Sequence, residues 1–304
     1  MRLSVKTCKW ILTACAAGAL LLTGCADGRD AGQALEPYVA QAAPTAEPLL
    51  AALDEPSPTP TLAPEMLIED DGDIILREDL AAAFETQTYA FDHAPRVLIY
   101  HTHATEAFLK GEADAYAETE TGRTKDADYN ILALGQTLKA ALEQRGFIVL
   151  HDTTNVEPPE LRSAYSRSLA VMQQYEDIDI YIDLHRNSSS KPGPSENTVT
   201  VEEERCAKFF FVVGTGIGTY EGEYDAAPDW ERNYAFALSV MEAVEPAAAA
   251  LVKPIRLKVG RYNQHMGLCL LAEIGTNRDT LAAAKNTAPY FADALRAVCE
   301  FPEE

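Results

Sequence analysis

Apolar and polar positions fall into two regimes that meet near residue 94. Downstream of it, short continuous apolar runs alternate with longer stretches whose apolar residues recur every three or four positions. Residues 97–100 (VLIY) form the first run, which reads as a buried strand. Residues 128–145 read as a helix through Ile131, Leu134, Leu138 and Leu142, and Gly146 terminates it. Residues 147–150 predict a strand, 161–175 a helix and 178–184 a third strand. A Ser/Pro/Gly-rich loop over 187–197 separates these from strands at 199–201 and 207–213, the second fully apolar and so central. A helix over 230–244, a buried strand over 268–274 and a helical end over 279–298 complete the series. Pro289 predicts a break in that last helix, with Thr287 capping a new one. Strands alternating with helices of this length predict one α/β domain over 94–304, a three-layer sandwich with a mostly parallel central sheet.

Upstream the pattern loses its period. Residues 65–93 alternate acidic and apolar positions and predict an extension with a short strand or two and a helix around 79–84. Residues 26–64 are rich in Ala, Pro and Thr with almost no aromatics, so they cannot bury much apolar surface and predict a disordered tether. Residues 1–25 read as a signal peptide, with Arg2, Lys6 and Lys9 ahead of an apolar stretch too short for a comfortable membrane span. It ends Leu22-Thr23-Gly24-Cys25, which resembles a bacterial lipobox and predicts lipidation of Cys25. The body of the protein is therefore expected outside the cytoplasmic membrane.

Losing the three cations of the signal takes the net charge from -22 to -25. That excludes nucleic-acid binding, which needs a basic footprint. Of six cysteines, Cys8 and Cys15 leave with the signal, and Cys25 is the expected anchor. Cys206, Cys269 and Cys299 have no CxxC spacing and support neither a zinc nor a disulfide framework. Cys206 and Cys269, beside apolar runs, read as small buried hydrophobes.

Chemistry gathers at the ends of three apolar runs: His101, His103 and Glu106 after the first strand, Asp183 and His185 at the third, and Glu273 in LCLLAEIG. Strand ends of α/β sheets hold ligands because the sheet fixes polar loops there. Two imidazoles and a carboxylate are a standard donor set for hydrolytic zinc, and a further carboxylate is needed to move protons. His103, Glu106 and His185 fit the first role and Glu273, flanked by apolar residues that raise its pKa, the second. Spacing leaves the choice between His101 and His103 open. His93 and His151 stand beside turns and carry no assigned role, and His265 is expected on a solvent-facing loop.

HTHATE after an apolar strand, DxxYN opening the first helix, IDLHRN, KFFFVVG, RYNQ and LLAEIGTN occur in one order over about residues 97–298. The ordered set resembles the stage II sporulation protein P family, related in fold to zinc N-acetylmuramoyl-L-alanine amidases. The resemblance implies an amidase (phosphorylase/hydrolase-like) fold and a Zn2+ peptidoglycan hydrolase at the sporulation septum. It would cut stem peptides from glycan, with a cross-link endopeptidase activity and stage II sporulation protein D as partner. It places His103 rather than His101 on the metal. The amidases' carboxylate ligand at the start of the first helix would point to Asp126 or Asp128, against which the longer Glu106 is preferred. Arg186 is expected to grip a stem-peptide carboxylate, and Asn263, with Gln264 beside it, to line the substrate side. Asn187, where the family usually has Asp, and His265, where an acid is common, depart from the pattern. A zinc carboxypeptidase would need an arginine cluster that is not evident in the sequence. Asn187 is the one feature favouring a non-catalytic wall-binding lipoprotein.

Overall fold

In the computed structural model, residues 66–68, 73–76, 84–111, 116–120, 122–190, 197–216 and 230–302 are described. The signal peptide with Cys25, the tether and residues 79–83 of the expected early helix lie outside them. The strands are β1 (Met66–Ile68), β2 (Asp73–Leu76), β3 (Tyr89–Ala90), β4 (Arg96–Tyr100), β5 (Ile148–His151) and β6 (Ile180–Asn187). They continue with β7 (Thr198–Val201), β8 (Glu204–Ala207), β9 (Phe209–Gly214), β10 (Arg256–Lys258), β11 (Leu268–Thr276) and β12 (Cys299–Glu300). The helices are α1 (Ile131–Glu143), α2 (Ala164–Met172), α3 (Trp230–Glu242) and α4 (Leu281–Val298).

Eight strands form the main sheet in the order β1-β2-β10-β9-β11-β6-β4-β5. β5, β4, β6 and β11 are mutually parallel. β9 runs antiparallel to β11 although it is central as its apolar run predicts, and β10 follows β9. From the amino-terminal extension, Met66–Ile68 and Asp73–Leu76 add β1 and β2 to the β10 edge of this same sheet. Side-chain alternation sorts the layers. Val97, Ile99, Ile182, Leu184, Phe211, Leu270 and Ala272 face a core built with α1, α3 and α4. Leu98, Tyr100, Tyr181 and Cys269 face the other way and pack with Met172 of α2. The result is the predicted three-layer arrangement.

Three local expectations change. The apolar run over 207–213 is split at Lys208: Ala207 ends β8, which pairs back on β7 through a turn at Glu202 and Glu203, both with positive φ (49° and 71°), and β9 starts at Phe209. β6 runs on to Asn187, so His185 sits on the strand rather than after it. The carboxyl-terminal helix does not break: α4 is continuous through Pro289, capped by Thr280, whose side chain accepts from the Ala283 amide. Pro289 faces solvent while Ala284, Ala288, Phe291 and Leu295 are buried on the opposite stripe. Thr287 does not cap; its hydroxyl donates to Ala207 O (2.6 Å) and Ala283 O (3.2 Å). Burial of that stripe outweighs the roughly 3 kcal/mol that an interior proline costs. Cys206, Cys269 and Cys299 are buried, and among the described residues none is in a disulfide. Among the described residues no helix is long and apolar enough to cross a membrane.

Candidate active site

Parallel register places Tyr100 beside Asp183 and His185 beside Glu273. Paired residues in neighbouring strands share a face, so His185 and Glu273 project together on the α2 side, one strand apart. After Glu273 the register shifts, and Gly275 adopts φ +72° where a Cβ would also stand 3.2 Å from that of Ala207. Beyond Tyr100 the chain leaves the sheet. The Thr102 amide and hydroxyl both donate to the Asp183 carboxylate, at 2.9 and 2.7 Å, which pins the 101–106 turn over the end of β6.

That turn sends the two histidines of HTH in opposite directions. The His103 ring lies 5.4 Å from the His185 ring, nearly perpendicular to it. His101 is buried on the α1 face, with Nδ1 2.9 Å from Leu184 O and Nε2 2.8 Å from His151 Nε2. Burial lowers its pKa to about 3 and that of His151 to about 4. Both are neutral at pH 7, so His101 Nδ1 donates to the carbonyl and His151 Nε2 donates to His101 Nε2. Gly135 of α1 makes room, since a Cβ there would come within 2.8 Å of His101 Nε2 and 2.5 Å of His151 Nε2.

His185 stands between carboxylates. Nδ1 is 3.6 Å from Glu106 Oε2, and Nε2 is 2.8 Å from Asp183 Oδ1 but out of hydrogen-bonding alignment. Burial would lower the imidazole's pKa, yet Asp183 and Glu106 hold it well above its ordinary value. Burial would raise Glu106 and Asp183, but His185 leads the charges and hydrogen bonds that keep both low. Glu106 Oε2 also accepts the Arg186 amide (3.1 Å). Glu273 differs: burial raises it to about 7, with Glu106 adding to the rise and His185 opposing it.

His103 has its own carboxylate, Glu157, which the sequence did not single out. Glu157 Oε1 is 3.7 Å from His103 Nδ1 and ion-paired to Arg123, and Oε2 accepts the Thr105 hydroxyl at 2.5 Å. Burial pushes Glu157 up, but His103, Thr105 and Arg123 together hold it at about 2. Tyr165 of α2 closes the other side of His103, with ring centres 6.0 Å apart.

The remaining expected residues are structural in their contacts. Arg186 is buried and donates to Ala107 O, Gly122 O and Asn187 O (2.9, 2.7 and 3.3 Å), tying two loops to β6 rather than facing a substrate. Asn263 donates to Tyr165 O and Ser168 Oγ. Gln264 bridges β9 by donating to Val212 O and accepting the Gly214 amide. Asp126 and Asp128 are exposed, and Asp126 Oδ1 accepts the Asp128 amide in the turn before α1. His265 is exposed.

Among the described residues no three His, Cys, Asp or Glu side chains already stand in coordinating positions about one point. The donor chemistry nonetheless fits zinc. Bonds of 2.0–2.1 Å at the tetrahedral angle put two ligand atoms about 3.3 Å apart and two ligand rings about 5 Å apart. His185 Nδ1 to Glu106 Oε2 is 3.6 Å and His103 to His185 is 5.4 Å. Each imidazole has a carboxylate at its far nitrogen, the arrangement that orients metal-binding histidines. Three buried polar atoms here, His103 Nδ1, His185 Nε2 and Glu273 Oε2, make no hydrogen bond.

A family model described as Stage II sporulation protein P matches residues 60–296. Stage II sporulation protein P of Bacillus subtilis (strain 168) is 27% identical over 211 residues, covering 63% of this chain. The chain spans about half (49%) of that relative's length. Among solved structures, the CwlD amidase of Clostridioides difficile, in complex with the GerS lipoprotein, has a TM-score of 0.41 at 12% identity. It covers 66% of this chain and 94% of its own. An N-acetylmuramoyl-L-alanine amidase from Clostridium difficile 630 has a TM-score of 0.38 at 14% identity, covering 68% and 95%.

Proposed function

The chain belongs to the stage II sporulation protein P family, and from that premise we propose that it is a zinc-dependent peptidoglycan hydrolase. Its reaction is the N-acetylmuramoyl-L-alanine amidase one, in septal wall remodelling. The observation that carries this reading is the meeting of His103, Glu106, His185 and Glu273 at the ends of three adjacent parallel strands.

His103, His185 and Glu106 would hold the ion. When bound, zinc supplies Lewis acidity at the scissile carbonyl and lowers the pKa of water to about 7. The Glu157 and Asp183 carboxylates stand beside the far nitrogens of the two imidazoles, at 3.7 and 2.8 Å, and their charge favours a proton there, leaving the near nitrogens for the cleft. Glu273 Oε2, buried and without a hydrogen-bond partner, takes the attacking water's proton and returns it to the departing alanine amine. A carboxylate with a pKa near 7 suits both halves of that transfer, because neither protonation state is far from reach. Tyr165 screens the His103 side from bulk water. In this reading the chain is held at the outer face of the membrane by its amino-terminal anchor and works beside stage II sporulation protein D.

Zinc content and muropeptide release from purified sacculi test the assignment. His185→Ala should lose zinc. Glu273→Gln should keep zinc and lose hydrolysis by at least about a hundredfold. Normal hydrolysis by Glu273→Gln removes the proposed base. Mass spectrometry of the fragments separates amidase from cross-link endopeptidase by the new termini.

A further inference from the structure

Across the sheet from His185 and Glu273, the next residue in register is Phe210 of β9. It lies on the same face, and two cations cover its ring. Lys253 Nζ and the Arg256 guanidinium carbon are 5.1 and 5.2 Å from the ring centre. Arg256 pairs with Val212, which shares Phe210's face, and Lys208, two residues before Phe210, is near enough to Lys253 for their charges to repel. The Lys253 amide donates to Phe209 O (2.9 Å), which fixes its position against β9.

Three cations gathered here are notable in a chain with 25 Lys and Arg against 47 Asp and Glu. Among the described residues none of the three has a carboxylate within ion-pair distance. Lys253 Nζ donates to Asn197 Oδ1 at 3.3 Å, and the Asn197 amide nitrogen in turn donates to Asp279. Burial and the like charges of Arg256 and Lys208 depress the Lys253 pKa, so the group gains from a neutralising anion. Phe210, Val212 and Leu271 supply an apolar floor that strengthens such a charge pair.

We propose that Lys208, Lys253 and Arg256 around Phe210 form a subsite for a free carboxylate of the stem peptide, on the β9 side of Glu273. This inference rests on the proposed hydrolase reading and deepens it by naming what the site grips besides the scissile amide. The cations come from two separate segments and only one of them is an arginine, which is why no arginine cluster is evident in the sequence. A planar guanidinium can meet a carboxylate bidentately, with the lysines adding point charge.

The test compares a muramyl peptide bearing a free carboxylate with the same peptide as its carboxamide, both soluble. The wild-type holoenzyme should prefer the free acid in kcat/KM by about ten- to a hundredfold, mostly through KM. The double substitution Lys253→Met with Arg256→Met keeps the stems over Phe210 and removes the charge. It should abolish the preference, and Arg256→Lys should restore part of it. Equal cleavage of both peptides by the wild type, or a preference that survives the double substitution, overturns the subsite and leaves the hydrolase reading standing. If the wild type cleaves neither peptide, equilibrium binding decides. Tighter binding of the free acid, lost in the double variant, keeps the subsite and removes the hydrolase reading; no discrimination removes both.

Discussion

His103 and His185 stand at one site with different degrees of support. His185 is fixed by a strand and by Asp183, itself held by two Thr102 bonds. His103 leaves a turn, and the carboxylate beside its Nδ1 is Glu157, 50-odd residues away and itself clamped by Arg123 and Thr105. Replacing Glu157 by Gln keeps the shape and removes the charge behind His103. Zinc affinity, measured by competition with a chromophoric chelator, should fall about ten- to a hundredfold. The nitrogen shifts of His103 should report a changed tautomer balance. Unchanged affinity and unchanged shifts would show that Glu157 serves Arg123 alone. The strand-end histidines are legible in the sequence because an apolar run stops abruptly at HTHATE and IDLHRN. Glu157 is not, because it lies in a polar, proline-rich stretch where any carboxylate reads as surface. The choice between His101 and His103 was equally closed to alternation, since the chain leaves the sheet at residue 101 and the period of two no longer applies.

Helix periodicity is legible where one face is buried, and strand direction is not. Ile131, Leu134, Leu138 and Leu142 are all buried along α1, as their spacing requires. Nothing in FFFVVG tells that β9 runs against β11, because a fully buried strand reads the same in either direction. Pro289 misleads for a related reason: local chemistry asks for a break, while the buried stripe of α4 is set by contacts distant in sequence. Gly135 is the converse case, a poor helix former kept by what packs on it. Ala at this position should gain about 1 kcal/mol of helix propensity. The added methyl meets the His101 and His151 rings, both locked by their hydrogen bonds, and overpacking of this kind costs about 1–3 kcal/mol. Gly135→Ala should therefore be destabilised on balance in urea unfolding, and a stabilised variant would mean that the histidine pair can shift.

At the scale of the molecule, proton and metal compete for one buried cluster, and stability should record it. Without metal, Glu273 has a folded-state pKa of about 7 against an ordinary 4.5. A raised folded pKa contributes stability that is complete below 4.5 and is lost as pH rises through 7. Glu157, held at about 2, works in the opposite sense: its contribution is complete above 4.5 and is lost as pH falls through 2. The metal-free protein should thus soften from pH 4.5 to 7 on account of Glu273, and Glu273→Gln should flatten that decline. Zinc reverses the trend, since it needs His185 without its proton and favours Glu273 ionised, so binding releases protons and tightens as pH rises. At a free concentration one hundred times Kd the ion adds about 2.7 kcal/mol, about 5–10 °C in Tm for a domain of this size. The zinc-bound minus metal-free difference in Tm should be small at pH 5 and reach that range by pH 7.5. Calorimetry in buffers of different ionisation enthalpy should count the protons released. A difference that stays constant across the range, with no proton release, would mean that the ion binds elsewhere, because no cluster containing His185 between two carboxylates could take it up without giving up a proton.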